Sequence, residues 1–314
     1  MTSRNQSVRL GDSSVAEAAL RDGIVYRPEQ SGLLAPWRGV KALARRKPLG
    51  FVGFVILVVV GGAAVLAPWL APYGYQEVDL TNRLTSPSTT HLFGTDNLGR
   101  DLLSRVMWGA RLSLGISFGA VLIAKGLATF VAVLSGFYGG WFDKIVQRFV
   151  DIWIALPTLI ILITLLGVLG ASPWSLIIVV GLANAPHSSR LIRSVVLGVR
   201  EEPYIEAARS LGMTDTRIML RYVLPNIAHM IIYSASVTLG SVILIVASLG
   251  FLGYGVPPPQ PDLGAMLSGD GLTFMRRMPW MALWPGLVIT LVVFGFNVFG
   301  DALRDLLDPR MRGA

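Results

Sequence analysis

The chain contains 314 residues, of which 53% are hydrophobic and only 15% are charged, and its mean hydropathy is +0.60. Soluble domains carry about a quarter of their residues as charged side chains, so this composition argues against a soluble protein and predicts one that spans a membrane. The net charge of +8 fits basic residues that flank membrane spans better than it fits a nucleic-acid surface. The chain has no cysteine, which excludes disulfide and thiol chemistry.

The first 47 residues are polar and end in the basic run Arg45-Arg46-Lys47. We interpret residues 1–47 as a cytoplasmic tail and pre-membrane segment. The apolar run at residues 49–70 is too long, and lies too far along the chain, for a typical cleaved signal peptide. It is therefore predicted to be the first membrane span, ended by Pro68 and Pro72.

Long apolar runs recur along the chain, and a helix needs about 20 apolar residues to cross a bilayer. The turn signal Gly170-Ala171-Ser172-Pro173 divides the longest run into two spans. The predicted fold is an all-α membrane protein with about six transmembrane helices. Residues 48–111 hold the first span and an external segment, and residues 112–314 hold a core of five spans. The six predicted spans lie at residues 49–70, 112–136, 149–169, 174–199, 226–251 and 281–303.

The distribution of basic residues orients these spans, because Lys and Arg accumulate in cytoplasmic segments. With the amino terminus inside, the predicted inner segments hold 20 Lys and Arg residues and the outer segments hold six. Both termini are therefore predicted to be cytoplasmic, and the protein is expected in a bacterial cytoplasmic (inner) membrane. The longest inner loop, residues 201–226, lies on the same side.

Motifs for catalysis and for metal or nucleotide binding are missing from the sequence. It contains no G-x-x-x-x-G-K-[ST] loop for ATP phosphates, no H-E-x-x-H and no G-x-S-x-G. The three histidines, His91, His187 and His229, have no metal-ligand spacing. We therefore expect no catalytic residues, no metal site and no nucleic-acid partner. A conduit, a carrier or an anchor fits better than an enzyme.

The inner loop 201–226 is predicted to form two short helices joined by a glycine. Acidic residues and Pro203 suit the start of the first helix, and Gly212 suits its left-handed end. A second helix is predicted at residues 216–223, capped by Thr214 or Asp215 and ended by Pro225.

The first of these helices has only about two turns and needs a surface to hold it, because such a helix is unstable alone in water. Helical spacing places Tyr204, Ala207, Ala208 and Leu211 on one thin face, and Glu206 lies beside them as a charge that can fix register. From the residues alone, docking on a partner and lying on the protein's own membrane surface are equally favoured.

The order Glu206-Ala207-Ala208, Gly212 and Leu224-Pro225 resembles the E-A-A loop of ABC-importer permeases. In that family the loop is the coupling helix that docks on a cytoplasmic ATPase. The resemblance therefore implies that the coupling residues are Tyr204, Glu206, Ala207, Ala208, Leu211 and Gly212.

A second resemblance, to the shorter C-type permease of the dipeptide/oligopeptide/nickel class, is carried by residues 91–101, H-L-F-G-T-D-N-L-G-R-D. Gly136-Phe137-Tyr138-Gly139-Gly140 and the closing segment Gly300 to Arg310 agree with it, and together they cover roughly residues 48–310. The residues of this motif that are expected to brace a turn or form the outer mouth are Gly94, Thr95, Asp96, Gly99, Arg100 and Asp101.

The resemblance implies an ABC type I importer fold and a set of partners. These are a second homologous permease, cytoplasmic ABC ATPases, an extracytoplasmic solute-binding protein and the lipid bilayer. This chain would bind no cofactor itself, and ATP and Mg would be bound by the ATPase subunits. Peptides are the first expectation for the substrate, with nickel complexes or glutathione-like peptides open. A self-sufficient secondary carrier or channel, and an anchor that only scaffolds an ATPase, are the alternatives.

Three further predictions concern individual residues. Lys125 lies inside the second span, where it either lines the pathway or satisfies a neighbouring helix, and we favour the packing role. Residues 101–110 are predicted to form an outer surface helix in which Asp101 pairs with Arg105. The last external loop, with Asp262 and Asp270, is predicted to be solvated.

Overall fold

The computed structural model describes residues 47–307, so most of the predicted cytoplasmic tail lies outside the described residues. Within that range the regular structure is helical, with an isolated antiparallel bridge between Thr95 and Asp101. The helices, in chain order, are α1 (Pro48–Val65), α2 (Ala67–Leu70), α3 (Leu102–Tyr138), α4 (Gly140–Ala155), α5 (Thr158–Leu169), α6 (Pro173–Arg200), α7 (Pro203–Ser210), α8 (Asp215–Phe251), α9 (Leu263–Met266) and α10 (Trp280–Leu307).

Four of these helices, α1, α3, α8 and α10, are long and apolar enough to cross a membrane, and the bent pair α4–α5 raises the number to five if it counts as one span. The predicted span at 174–199 corresponds to α6, which has the length to cross but not the composition. It carries Asn184, and its second half carries His187, Arg190 and Arg193, which lower its hydropathy.

Proline positions explain two places where the predicted spans were too long or too straight. The first span ends at Val65 rather than at residue 70. A separate short helix, α2, follows it and has Pro68 in its first turn. The predicted span 149–169 is not one straight helix, because α4 and α5 meet at an angle of 87°. Pro157 sits at this break, and Leu156 before it is extended, as steric clash with a following proline requires.

The prediction that Pro225 ends a separate helix was wrong. The chain runs through this proline as one helix, α8, which contains the π turn Met219–Val223 immediately before Leu224. A proline inside a helix removes one N–H donor and clashes with the carbonyl one turn earlier. The wider π turn lies at that point and gives the ring room, so the helix continues into the membrane.

The central packing unit consists of α3 and α6, which run parallel and approach closely at glycines. A Cβ on Gly181 of α6 would lie 2.9 Å from the Ala120 carbonyl of α3. Near the other end, a Cβ on Gly136 would lie 2.9 Å from the Val196 side chain. Small residues allow such contacts between membrane helices, and here they hold α6 against α3 along most of its length.

The outer layer of the bundle is formed by α1, which packs antiparallel on α10. A Cβ on Gly53 would lie 2.9 Å from the Gly295 carbonyl, and the rings of Phe54 and Phe299 are 5.7 Å apart. At the ends of the two helices, Lys47 Nζ lies 2.6 Å from Asp305 Oδ2. This ion pair joins the two ends of the described range.

The external loop after α8 is not solvated at Asp262, contrary to the prediction. Asp262 is 4% exposed and caps α9, since its carboxylate accepts a hydrogen bond of 2.9 Å from the Ala265 N–H. Burial raises the pKa of the Asp262 carboxyl, and backbone hydrogen bonds from Ala265 and Val256 oppose this effect. Gly264 makes this burial feasible, because a Cβ there would lie 2.0 Å from the Ala247 carbonyl of α8.

We therefore expect Gly264→Ala to destabilise the protein and the matched Gly269→Ala to leave it unchanged. A Cβ on Gly269 meets nothing within 4 Å, so this variant should keep its free energy of unfolding. The Cβ of Gly264→Ala would overpack the contact with α8, which typically costs about 1–3 kcal/mol. Thermal unfolding of the purified protein in detergent measures the difference. Equal melting temperatures for the two variants would contradict the close contact between α9 and α8.

Candidate functional site

The helix α7 is defined at both ends by its sequence. Pro203 occupies its first turn, and Gly212 follows it with φ +76°. The Met213 N–H donates to the Ala208 carbonyl and the Gly212 N–H donates to the Arg209 carbonyl, which together make a Schellman motif. The predicted left-handed cap at Gly212 is confirmed. A Cβ at Gly212 would meet nothing within 4 Å, so the backbone conformation is what requires glycine here.

One side of α7 is buried in the protein's own core, which corrects the predicted face. Ile205 is 1% exposed and Ala208 is 4% exposed. Ala208 therefore points inward and does not share the outer face with Ala207. The inner side of α7 packs in a cluster with residues of α3, α6 and α8, among them Phe137, Val196 and Ile218.

The opposite side of α7 is exposed and carries the remaining predicted coupling residues. Glu206 and Ala207 are exposed, and the Leu211 side chain is 79% exposed. Tyr204 is also on the surface, with its ring 6.5 Å from that of Tyr222. Within residues 47–307, Glu206 forms no ion pair. The outer side of α7 is thus a thin surface with one acidic, one aromatic and one aliphatic residue.

Ion pairs tie the helices around α7 to one another. Arg193 of α6 donates two hydrogen bonds to the Asp143 carboxylate of α4, one of them 2.6 Å long from Nε. Arg190 and Asp151 make a second, more exposed pair between the same helices. Just before α7, Arg200 Nη1 donates to the Gly136 carbonyl at 3.2 Å. The end of α6, from which the loop 201–226 begins, is therefore attached to α3 and α4 by polar contacts.

At the other end of α3, the motif at residues 94–101 forms a buried polar network. The Asp96 carboxylate accepts hydrogen bonds from the backbone N–H of Leu98 and Arg100, and from Arg100 Nε at 2.6 Å. Arg105 Nε lies 3.5 Å from the same carboxylate. The Thr95 hydroxyl donates to the Asn82 carbonyl. These contacts brace a turn.

Asp101 has a different role from the predicted pairing with Arg105. Its carboxylate caps α3 by accepting from the Ser104 N–H at 2.8 Å, and it lies 3.0 Å from His91 Nδ1. The predicted surface helix 101–110 is the first part of the continuous helix α3, and most of its apolar residues are buried. Asp101 differs from the prediction because its carboxylate caps the helix. Residues 102–110 differ because they pack as part of the long helix α3.

The two glycines of the motif are required by backbone conformation and by space. Gly94 has φ +80° and Gly99 has φ +75°. A Cβ on Gly99 would lie 1.7 Å from the Asp79 carbonyl oxygen, and one on Gly94 would lie 2.6 Å from that of Thr85. The outer segment therefore folds onto the start of α3 only with glycine at these two positions.

Lys125 lies on the buried side of α3 and is 6% exposed. Its ammonium donates a hydrogen bond of 2.9 Å to the Ser188 hydroxyl of α6, so it satisfies a neighbouring helix as favoured from the sequence. It also lines a groove of about 580 Å³ between α3 and the cytoplasmic part of α8. Thr129 and Thr216 are the other residues in this lining with polar side chains.

Some residues of this site were not predicted from the sequence. Ile205 precedes Ala208 by three residues, and this spacing could have identified the buried side of α7. The pair between Asp143 and Arg193 joins positions 50 residues apart, which one sequence cannot pair. In the described range, no cluster of three or more potential metal ligands occurs.

Several helices long and apolar enough to cross a membrane are typical of a multi-pass membrane protein, and comparison with known proteins shows its family. Residues 128–313 match the family described as the inner membrane component of binding-protein-dependent transport systems. Residues 35–87 match the N-terminal transmembrane domain of oligopeptide transport permease C. The chain belongs to this family of ABC-importer permeases of the inner membrane, and it is a transport subunit without ATPase activity of its own.

Two curated relatives cover nearly the whole chain. The dipeptide transport system permease protein DppC of Alkalihalophilus pseudofirmus is 41% identical over 284 residues, which are 90% of this chain and 93% of the relative. The glutathione transport system permease protein GsiD of Escherichia coli O6:K15:H31 is 38% identical over 300 residues, covering 95% and 97% of the two chains.

The fold is also similar to that of a solved ABC transporter. A chain of the MetNI methionine ABC transporter, in an inward-facing conformation, matches with a TM-score of 0.50 and 21% identity. The match covers 64% of this chain and 94% of that one. This similarity supports the permease fold alone.

We expect Asp143→Asn to lower the stability of the cytoplasmic end more than Asp151→Asn does. The first variant leaves Arg193, whose side chain is only 23% exposed, without its carboxylate, which typically costs about 1–3 kcal/mol. The second breaks a pair between side chains that are about half exposed, which typically costs about 0–1 kcal/mol. Hydrogen exchange of α7 and the end of α6 measures this. Equal exchange rates in both variants would contradict a structural role for the Asp143–Arg193 pair.

Proposed function

We propose that this chain is the transmembrane permease subunit of an ATP-driven importer of di- or oligopeptides and forms half of its translocation pathway. The observation that carries the proposal is the two-sided character of α7. Its inner side is fixed in the core by Ile205 and Ala208, while its outer side exposes Glu206 and Leu211. A helix anchored in this way can transmit a push from a partner to the membrane helices.

The route of that transmission is short. Gly212 and Met213 connect α7 to α8, and α8 continues without a break from the cytoplasmic loop into the membrane. Ile205, Ala208 and Ile218 share one buried cluster. Movement of α7 would therefore be passed to α8 through packed side chains. In this proposal, closure of the ATPases on binding ATP moves α7 and switches the spans from an inward-facing to an outward-facing arrangement.

The partners follow from this assignment. Two cytoplasmic ABC ATPases bind the ATP and Mg, and one of them receives the outer side of α7. A second homologous permease completes the pathway, and an extracytoplasmic solute-binding protein delivers the substrate to the outer mouth near Asp96 and Asp101. The names of the similar proteins support peptides, with glutathione as a related tripeptide. Residues 48–111 would form the first span and the external segment, and residues 112–314 the core permease domain.

The proposed topology has six crossings with both termini in the cytoplasm. The bent pair α4–α5 supplies one crossing, and α6 supplies the sixth although its composition is mixed. Its length of 28 residues corresponds to about 42 Å, enough for a bilayer. Several of its polar side chains face protein rather than lipid, since Ser188 and Ser189 are buried and Asn184 donates to the Val180 carbonyl.

A self-sufficient secondary carrier or channel is the alternative function. It predicts transport by this chain without ATPase subunits. Within residues 47–307, Lys125 has no acidic partner at ion-pair distance, so the paired membrane charges typical of a proton-coupled carrier are not seen there. Transport assays with and without the ATPases separate the two functions.

We expect Glu206→Ala and Leu211→Asp to uncouple ATP hydrolysis from peptide uptake. Both positions are exposed and lie outside the core, so membrane insertion should be unchanged while uptake falls by about tenfold or more. Uptake and ATP hydrolysis by the reconstituted complex measure this, with Arg217→Ala on the following exposed turn as a control. Full uptake in both variants would refute the coupling role of α7.

We expect Gly212→Ala to reduce coupling and Gly198→Ala to leave it intact. Neither new Cβ meets a neighbour within 4 Å, so the two variants differ in backbone conformation alone. Only Gly212 has a positive φ, and a side chain in that conformation costs about 1–2 kcal/mol. The ratio of peptide taken up to ATP hydrolysed is the readout. The same ratio in both variants would show that the left-handed joint is not needed.

A further inference from the structure

Lys125 lies too deep in the membrane for its charge to reach water along its own helix. It is 13 residues from the cytoplasmic end of α3 at Tyr138, which corresponds to about 20 Å. The groove beside it is walled by Thr216 and Met219 at the start of α8, so the site opens toward the same end of the span as the loop 201–226. A lysine side chain, with its four methylene groups, cannot extend over the distance of about 20 Å to the end of the helix.

The ammonium is incompletely satisfied by the protein. It carries three N–H donors, and within residues 47–307 one of them is used, in the bond to Ser188 Oγ. The same range places no Asp or Glu oxygen within 4.0 Å of it. A buried cation without an anion is costly in a membrane, so this position is suited to receive one.

The space beside Lys125 has the character of a ligand site. The groove it lines is about 580 Å³, and apart from Lys125, Thr129 and Thr216 its lining is aliphatic, aromatic or glycine. Sites for small molecules typically combine an apolar lining with a few polar groups and have volumes of about 300–1,000 Å³. One wall comes from the π turn of α8 at Met219 and Leu220, the segment that directly continues the coupling loop.

We propose that Lys125, positioned by Ser188, binds the carboxylate of the transported peptide inside the membrane. This inference rests on the proposed function and adds a substrate-binding residue to it. A terminal carboxylate is common to all unmodified peptides, so one cation recognises the class without reading its sequence. The apolar lining accepts side chains of varied size. Movement of α8 with the coupling loop changes the wall opposite the ammonium and so changes how well the site holds its ligand.

The test uses the complete reconstituted transporter, with both permeases, the ATPases and the binding protein in proteoliposomes. Uptake of dialanine is compared with uptake of dialanine amide, which lacks the carboxylate, each offered at saturating binding protein. The variants are Lys125→Met, Lys125→Arg and, as a control at an exposed lysine outside the groove, Lys144→Met. Size-exclusion profiles and melting temperatures of each complex report its assembly.

The proposal predicts that Lys125→Met lowers dialanine uptake by about 10- to 100-fold, the range for loss of a charge-assisted hydrogen bond. Lys125→Arg keeps the charge and should stay within a few-fold of the parent. Uptake of the amide, where the parent transports it, should change little in Lys125→Met. ATP hydrolysis without peptide and assembly should be unchanged, and Lys144→Met should retain uptake.

Two results would overturn the inference. Dialanine uptake by Lys125→Met at the parent rate would show that the ammonium does not bind substrate. Equal losses for both peptides, with a lowered melting temperature of the complex, would show that Lys125 pairs with a carboxylate of another subunit. The proposed function fails separately, if the unmodified complex takes up no dialanine in an ATP-dependent manner.

Discussion

The close contact between α3 and α6 is the interaction on which the other features depend. The polar second half of α6 would be unfavourable in lipid by itself, and the glycine contacts at Gly181 and Gly136 bring α6 against the long apolar helix α3. That contact places Ser188 beside Lys125. It also carries α6 to its end at Arg200, immediately before α7. The contact between Lys125 and Ser188 and the start of α7 are therefore positioned by the same pair of helices.

Polar side chains form networks at both ends of α3, and the two networks differ in the sequence separation of their contacts. At the outer end, the carboxylates of Asp96 and Asp101 satisfy backbone N–H groups and nearby basic side chains within one short stretch of chain. At the inner end, Arg193 and Arg200 join α6 to α4 and to the last turn of α3 across long sequence separations. The network at residues 94–101 is thus built largely within one short stretch of chain, whereas the network at the other end of α3 depends on the assembled bundle.

Apolar runs and cap signals predicted much of this arrangement. The runs located α3, α8 and α10, and Gly212 was recognised as the end of α7. The two alanines did not show which side of the two-turn helix is buried, because Ala207 and Ala208 suit either side. The spacing of Ile205 and Ala208, which marks the buried side, was not used. Proline misled in two ways: Pro157 breaks a span that was predicted straight, while Pro225 is accommodated by a π turn. Asp262 was predicted in solvent because its burial depends on Gly264, which lies against a distant helix.

The ion pair between Lys47 and Asp305 restricts how many times the chain can cross the membrane. Two side chains in contact lie on the same side of a bilayer, so the chain between them crosses it an even number of times. Five crossings, counted from apolar composition with the bent pair as one span, would leave these residues on opposite sides. Six crossings, with α6 as the sixth, satisfy this condition, and so do four if the bent pair does not cross. The condition itself comes from one contact and not from the distribution of basic residues.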